Sequence, residues 1–155
     1  MHGVPVLFIK KKDDSLHLCI NFHSLNYISK KDHYPLLLIS DLLDSSYKAQ
    51  VYTKIDLYHA YHLVCIANGN KWKTSFRTHY RLFEWFVILF GLINASAVFQ
   101  QFMNDLFSDL LDVCVMIYLY NIIIYSNNMS EHHWHIIVAT THHSRTNDLT
   151  MSKAL

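Results

Sequence analysis

Apolar and polar positions along this chain alternate in short runs that predict more strands than helices. Val4 to Ile9 is a strand candidate, Lys10-Lys11-Lys12-Asp13-Asp14-Ser15 a charged turn, and Leu16 to Phe22 the returning strand of a hairpin. His23 to Lys31 is polar and reads as loop, and Leu36 to Leu43, after Tyr34-Pro35, reads as a short helix. Gln50 to Leu57 predicts a strand ending at Asp56, and Tyr58 to Ile66 a turn or short helix running into another strand. Asn68-Gly69-Asn70 is a turn, with strands at Lys73 to Arg77 and Phe83 to Leu89. Asn94 to Leu111 predicts the main helix, because Ala95, Val98, Phe99, Phe102, Met103, Leu106 and Leu110 recur on one face. Val113 to Ser126 holds two β-branched and aromatic runs joined at Tyr120-Asn121, the pattern of a buried hairpin. From Ser130 onward the chain is His-rich and weakly helical, then polar. Strands and helices mixed without strict alternation predict an α+β fold, an antiparallel sheet with helices packed on one face.

Length sharpens this picture: 155 residues without internal repeats or a long linker fit a single domain with its own core. Hydrophobic residues make up 52% and charged residues only 16%, a composition that leans on partner surface or gives poor solubility. A net charge of +1 gives no global attraction to nucleic acid, which leaves local patches to supply any. Cys19, Cys65 and Cys114 are scattered through apolar runs, as buried thiols in a reducing compartment would be. The longest apolar run falls short of a membrane span, and the N-terminal charges follow the apolar stretch, the reverse of a signal peptide. An intracellular chain that makes no use of membrane is the expectation.

Several motifs carry chemistry. Lys54-Ile55-Asp56-Leu57 ends a strand in a carboxylate, with Tyr61 a short way on; alone, these read as a helix cap and a core aromatic. Phe90-Gly91-Leu92-Ile93-Asn94-Ala95-Ser96-Ala97-Val98-Phe99-Gln100 places a permissive glycine and an N-cap candidate, Asn94, before the main helix. Tyr118-Leu119-Tyr120-Asn121, followed by Ile-Ile-Ile-Tyr-Ser, sits in the central hairpin. Together these resemble the Lys-Ile-Asp-Leu, Phe-Gly-Leu-X-Asn-Ala-Pro and Tyr-X-Asp-Asp motifs of reverse transcriptases, most nearly those of gypsy-like LTR retrotransposon Pol polyproteins. Val4 to Asp13, with Leu25-Asn26, resembles the fingers hairpin of the same enzymes, and Thr74 to Thr78 with Phe83-Glu84 adds matched positions. The resemblance runs from about Val4 to Ser126, a fingers–palm fragment lacking thumb and RNase H segments; Asn147-Asp148-Leu149 with Lys153 matches only faintly.

The resemblance implies RNA-directed DNA polymerisation with Mg²⁺, dNTPs and an RNA/DNA primer–template, within a longer polyprotein. It implies Asp56 as catalytic and metal-binding, Lys11 on the triphosphate, Tyr61 beneath the incoming sugar, and Phe90 and Gly91 in nucleotide binding. It also places Tyr120 and Asn121 where the family has two metal-binding Asp. A phenol and an amide cannot replace two carboxylates in holding paired divalent ions, so an inactive copy is expected. His17 stands where the family has an arginine fork on the triphosphate. The rival expectations are a non-catalytic nucleic-acid binder using Lys10, Lys11, Lys12, Lys71, Lys73 and Arg77, and a fragment that does not fold by itself.

Other departures share a chemistry. His17, His23 and His79 replace Arg, Asn21 and Asn121 replace Asp, Asp14 and Arg81 replace Gly, and Leu37, Leu89 and Ser96 replace Pro. Each is one C-to-T or G-to-A transition, the mark of cytosine deamination in a silenced element; Tyr120 is the exception. Among the twelve histidines, His132, His133, His135, His142 and His143 cluster without a Cys or His-Glu-X-X-His partner, so zinc is not expected. Asp14 and Arg81 are expected at positive φ, where glycine stood.

Overall fold

In a computed structural model, residues 3–35, 40, 44, 46–58 and 60–144 are described. Most of the short helix expected over Leu36 to Leu43, and the segment with Asn147, Asp148 and Lys153, lie outside them. Two sheets organise the chain. The first is formed by β1 (Val4–Lys10), β2 (Leu16–Ile20), β4 (Phe76–Arg77) and β5 (Leu82–Phe83), in the order β2-β1-β4-β5. Its β1–β2 hairpin is antiparallel, as the alternation predicted, whereas β1 and β4 run parallel. The second sheet is antiparallel throughout, with β3 (Val51–Asp56), β7 (Asn121–Ser126) and β6 (Val115–Tyr118) in the order β3-β7-β6.

Two helices cover one face of this second sheet. Helix α2 (Ala95–Leu106) and helix α3 (Met129–Ser144) bury Phe99, Phe102, Met103 and Ala139 in one core cluster with Ile117, Ile122 and Ile124. The opposite face carries Met116, Tyr125, Ile123 and Tyr118, packed with Ala49. Side chains alternate across a strand, so this split is the period-2 pattern of β7 read in space. The α+β architecture with helices on one face is therefore present.

Several local expectations change. His23 to Ile28 is a helix, α1, not loop; its polar sequence suits a helix with no buried residue. Lys71–Thr74 is a 3-10 turn, which leaves Phe76–Arg77 as the strand, and Phe83 to Leu89 pairs only at Leu82–Phe83 and an isolated Cys65–Val87 bridge. Helix α2 ends at Leu106, followed by turns. The hairpin turn is centred on Leu119-Tyr120, one residue earlier than expected, because Tyr118 pairs with Asn121. Leu119 takes φ 53°, the left-handed region that costs a branched residue about 1–3 kcal/mol. Asp14 also has positive φ (63°), as expected, whereas Arg81 does not. No described helix is long and apolar enough to cross a membrane.

Phe99 is fully buried between the helices and the sheet. Phe99→Ala is expected to cost about 3–5 kcal/mol in denaturant unfolding. Removing the exposed Phe90 ring by the same substitution is expected to cost far less, and equal losses would show that α2 is not the centre of the core.

Candidate functional site

The site begins with strand pairing. β3 and β7 pair from Val51–Ser126 to Asp56–Asn121, which sets Asp56 directly across from Asn121 on the same face of the sheet. The Leu57 N–H donates to the Tyr120 carbonyl at 2.9 Å, tying the chain after Asp56 to the hairpin turn. Asp56, Leu57, Tyr58, Ala60, Phe90 and Tyr120 line an open cleft of about 360 Å³. Tyr61, in the 3-10 turn Ala60–Leu63, stands behind it, buried at 6% exposure. Its ring meets Phe90 edge-on at 4.5 Å between centroids, and meets Phe99 of the core at 5.1 Å. Phe90 is left 67% exposed.

The electrostatics are sparse. Among the described residues lining the cleft Asp56 is the acidic one, and the Lys54 ammonium lies 3.8 Å from it, both side chains 60% exposed. The buried Asn121 Oδ1 has no hydrogen-bond partner among the described residues. Burial pushes the Tyr61 phenol above its ordinary value, and the neighbouring Tyr120 adds to the shift. Tyr125, on β7, is raised for the same first reason, with Asp112 and Cys114 contributing less.

Three amide side chains hold this geometry. Gln100 of α2, almost fully buried, donates to the Ile117 carbonyl at 3.0 Å and accepts from the Leu119 N–H at 2.7 Å. It therefore clamps the β6–β7 turn onto the helix. Asn26 donates to the Gly91 carbonyl at 2.6 Å and accepts from the Ile93 N–H at 2.9 Å. Asn94 occupies the N-cap position of α2 but does not cap it; its side chain bonds the Lys30 carbonyl and the Asp32 N–H instead. Gly91 needs its positive φ of 92°, but a Cβ there would meet open space, so backbone conformation, not crowding, is what the position demands.

Asp56, Tyr61, Phe90, Tyr120 and Asn121 are thus brought together. Lys11 lies elsewhere, exposed in the β1–β2 turn, where its N–H donates to the Ser15 carbonyl. The roles of Gln100 and Asn26 were missed in the sequence. The available signal was a lone polar residue inside the apolar stripe of α2. Two histidines of α3 bond strand hydroxyls: His132 reaches Thr53 at 2.8 Å and Ser126 at 2.9 Å, and His135 reaches Ser126 at 2.7 Å. No group of three metal-ligating side chains occurs among the described residues.

A family model described as reverse transcriptase (RNA-dependent DNA polymerase) matches residues 9–154. The Transposon Tf2-7 and Tf2-3 polyproteins of Schizosaccharomyces pombe (strain 972 / ATCC 24843) are each 35% identical over 136 residues, 88% of this chain. The chain spans about 10% of the length of these relatives. The foamy viral protease-reverse transcriptase dRH in complex with ds DNA aligns with TM-score 0.79 and 17% identity, covering 93% of this chain and 25% of that one. The foamy viral protease-reverse transcriptase in complex with RNA/DNA hybrid aligns with TM-score 0.75 and 17% identity, covering 92% and 19%. These structures share the fold.

Gln100→Leu keeps the volume and removes both bonds to the turn. It is expected to destabilise the chain by about 1–3 kcal/mol for each backbone group left unpaired, read by urea unfolding. A raised phenol pKa means the folded state holds its proton more tightly than the unfolded chain. Stability from Tyr61 and Tyr125 is then intact below about pH 10 and lost above it, so melting temperatures are expected to hold from pH 8 to 9.5 and fall by pH 11. An unchanged melt at pH 11 would contradict the burial of these rings.

Proposed function

The chain belongs to the reverse transcriptase (RNA-dependent DNA polymerase) family, and we propose that it is a fingers–palm domain whose polymerase centre no longer holds the metal pair. It is a reverse transcriptase domain with polyprotein relatives, and the remainder of such a polyprotein is its natural setting. The observation that carries the proposal is the pairing of Asp56 with Asn121 beside Tyr120. The position of an acidic centre is kept while its charge is not.

In the family, Mg²⁺ ions would activate the primer hydroxyl and steady the leaving pyrophosphate. The donor set here does not suit them. Mg²⁺ demands near-octahedral hard oxygen ligands. Asp56 offers one exposed carboxylate already near the Lys54 ammonium, Tyr120 offers a phenol, and Asn121 a buried amide oxygen. No polymerisation step is therefore routed through these residues. Tyr61 and Phe90 pack edge to face, which supports reading Tyr61 as the residue beneath an incoming sugar and Phe90 as a nucleotide contact. Lys11, exposed in the β1–β2 turn, and Arg77, exposed on β4, would meet a primer–template or dNTP by charge alone.

Two measurements on the full chain test this. Primer extension with Mg²⁺ or Mn²⁺ is expected to give no template-dependent product. Tyr120→Asp combined with Asn121→Asp is expected to create Mn²⁺ binding, seen as paramagnetic broadening of amide resonances near residues 56 and 121. The unaltered chain is expected to show none. Extension by the unaltered chain, or equal broadening in both, would overturn the proposal.

A further inference from the structure

The cleft beside Asp56 is made of groups that a hard, strongly hydrated dication does not use. Among the described residues that line it, Phe90, Tyr58 and Tyr120 are aromatic, and Leu57 and Ala60 are apolar. Among them Asp56 supplies the charge. The Phe90 ring is held by its edge contact with Tyr61, so an exposed π-face is presented without the entropy cost of fixing a mobile ring. Substituting Tyr120 for a carboxylate turns one wall from a metal ligand into a second ring.

A ring face and a carboxylate around an open volume suit a weakly hydrated cation that gives up little by leaving water. This chain already shows both halves of that recognition. The Lys71 ammonium sits 4.4 Å from the Phe86 ring centroid. The Lys54 ammonium stands 3.8 Å from Asp56, a long and exposed contact that a better-placed cation would displace. A cleft of about 360 Å³ leaves room for such a group beside the carboxylate.

We propose that this cleft binds an organic cation, an alkylammonium or guanidinium group, between Asp56 and the rings of Phe90 and Tyr120. The proposal rests on the reading that the metal pair is lost. Lys54 is then an internal competitor, and removing it strengthens binding, a direction that a merely structural lysine would not give.

The test is an NMR titration of the full chain with tetramethylammonium chloride, against sodium chloride at matched ionic strength and against tert-butanol as the neutral isostere. Saturable shifts are expected at the amides of residues 56–58, 90 and 120, with tert-butanol weaker by about tenfold. Asp56→Asn is expected to weaken binding about fivefold, and Lys54→Gln to strengthen it about two- to fivefold. Both sites are exposed, and unchanged melting temperatures in the two variants establish that they fold. No shifts, an equal response to tert-butanol, or shifts with adenosine but not with the cation would each overturn the proposal. Broadening of the same amides by Mn²⁺ in the unaltered chain would instead overturn the metal-loss reading beneath it, which keeps the two failures apart.

Discussion

Everything at the candidate site is positioned by the antiparallel pairing of β3 with β7. Six residue pairs run from Val51–Ser126 to Asp56–Asn121, and a slip of one residue would turn Ile122 and Ile124 out of the core. The register is thus fixed by apolar burial under α2 and α3, at a distance from the polar end that matters for chemistry. Gln100 adds the second constraint by fastening the β6–β7 turn to α2 through Ile117 and Leu119. Neither constraint involves a charge at Asp56, Tyr120 or Asn121. A change of side chain at 120 or 121 therefore leaves the place of the site intact.

The parts of the fold that were legible in the sequence are those with strong periodicity. The apolar stripe of α2 and the two β-branched runs of the central hairpin gave their elements and their burial directly, because core faces repeat at 3.6 or 2 residues. Asp56, Tyr61, Phe90 and the 120–121 pair were found by motif, and the structure assembles them. What escaped depends on geometry that no period encodes. The β1–β4 parallel pair joins segments far apart in sequence. Helix α1 has no buried residue to generate a stripe. Asn94 looked like a cap because asparagine favours that position, yet its amide is better satisfied by Lys30 and Asp32, the segment that crosses beside it. The turn was placed one residue late, at Tyr120-Asn121, because asparagine tolerates the left-handed region, and local preference yields here to the register of the flanking strands.

The surplus histidines illustrate the same division between composition and structure. No metal site was expected of them, and in α3 their partners differ: His132 and His135 meet hydroxyls of the sheet, His133 the Met129 carbonyl and His142 the Asp109 carboxylate. His132 is buried against Thr53 and Ser126, so it closes the helix onto β3 and β7 as a packing group with two satisfied nitrogens. An imidazole accepts or donates as its tautomer allows, and that adaptability suits a position beside two rotating hydroxyls.

The cost of the turn itself separates an inherited shape from a present use. A two-residue hairpin free of other demands favours Asn-Gly or a glycine at its first central position, where φ is positive. This chain instead holds Leu119 left-handed and, in the pair that closes the turn, buries an Asn121 oxygen unpartnered among the described residues, each unfavourable by about 1–3 kcal/mol. Such local costs persist only where the surroundings over-determine the backbone. The surroundings here are Gln100 on one side and the β3–β7 register on the other, and both are sustained by the core. The strained turn is therefore held by the core and the strand register, whatever side chains stand at 120 and 121. The same separation leaves the cleft walls free to differ in chemistry, because the groups that line the cleft are not the ones that hold the turn in place.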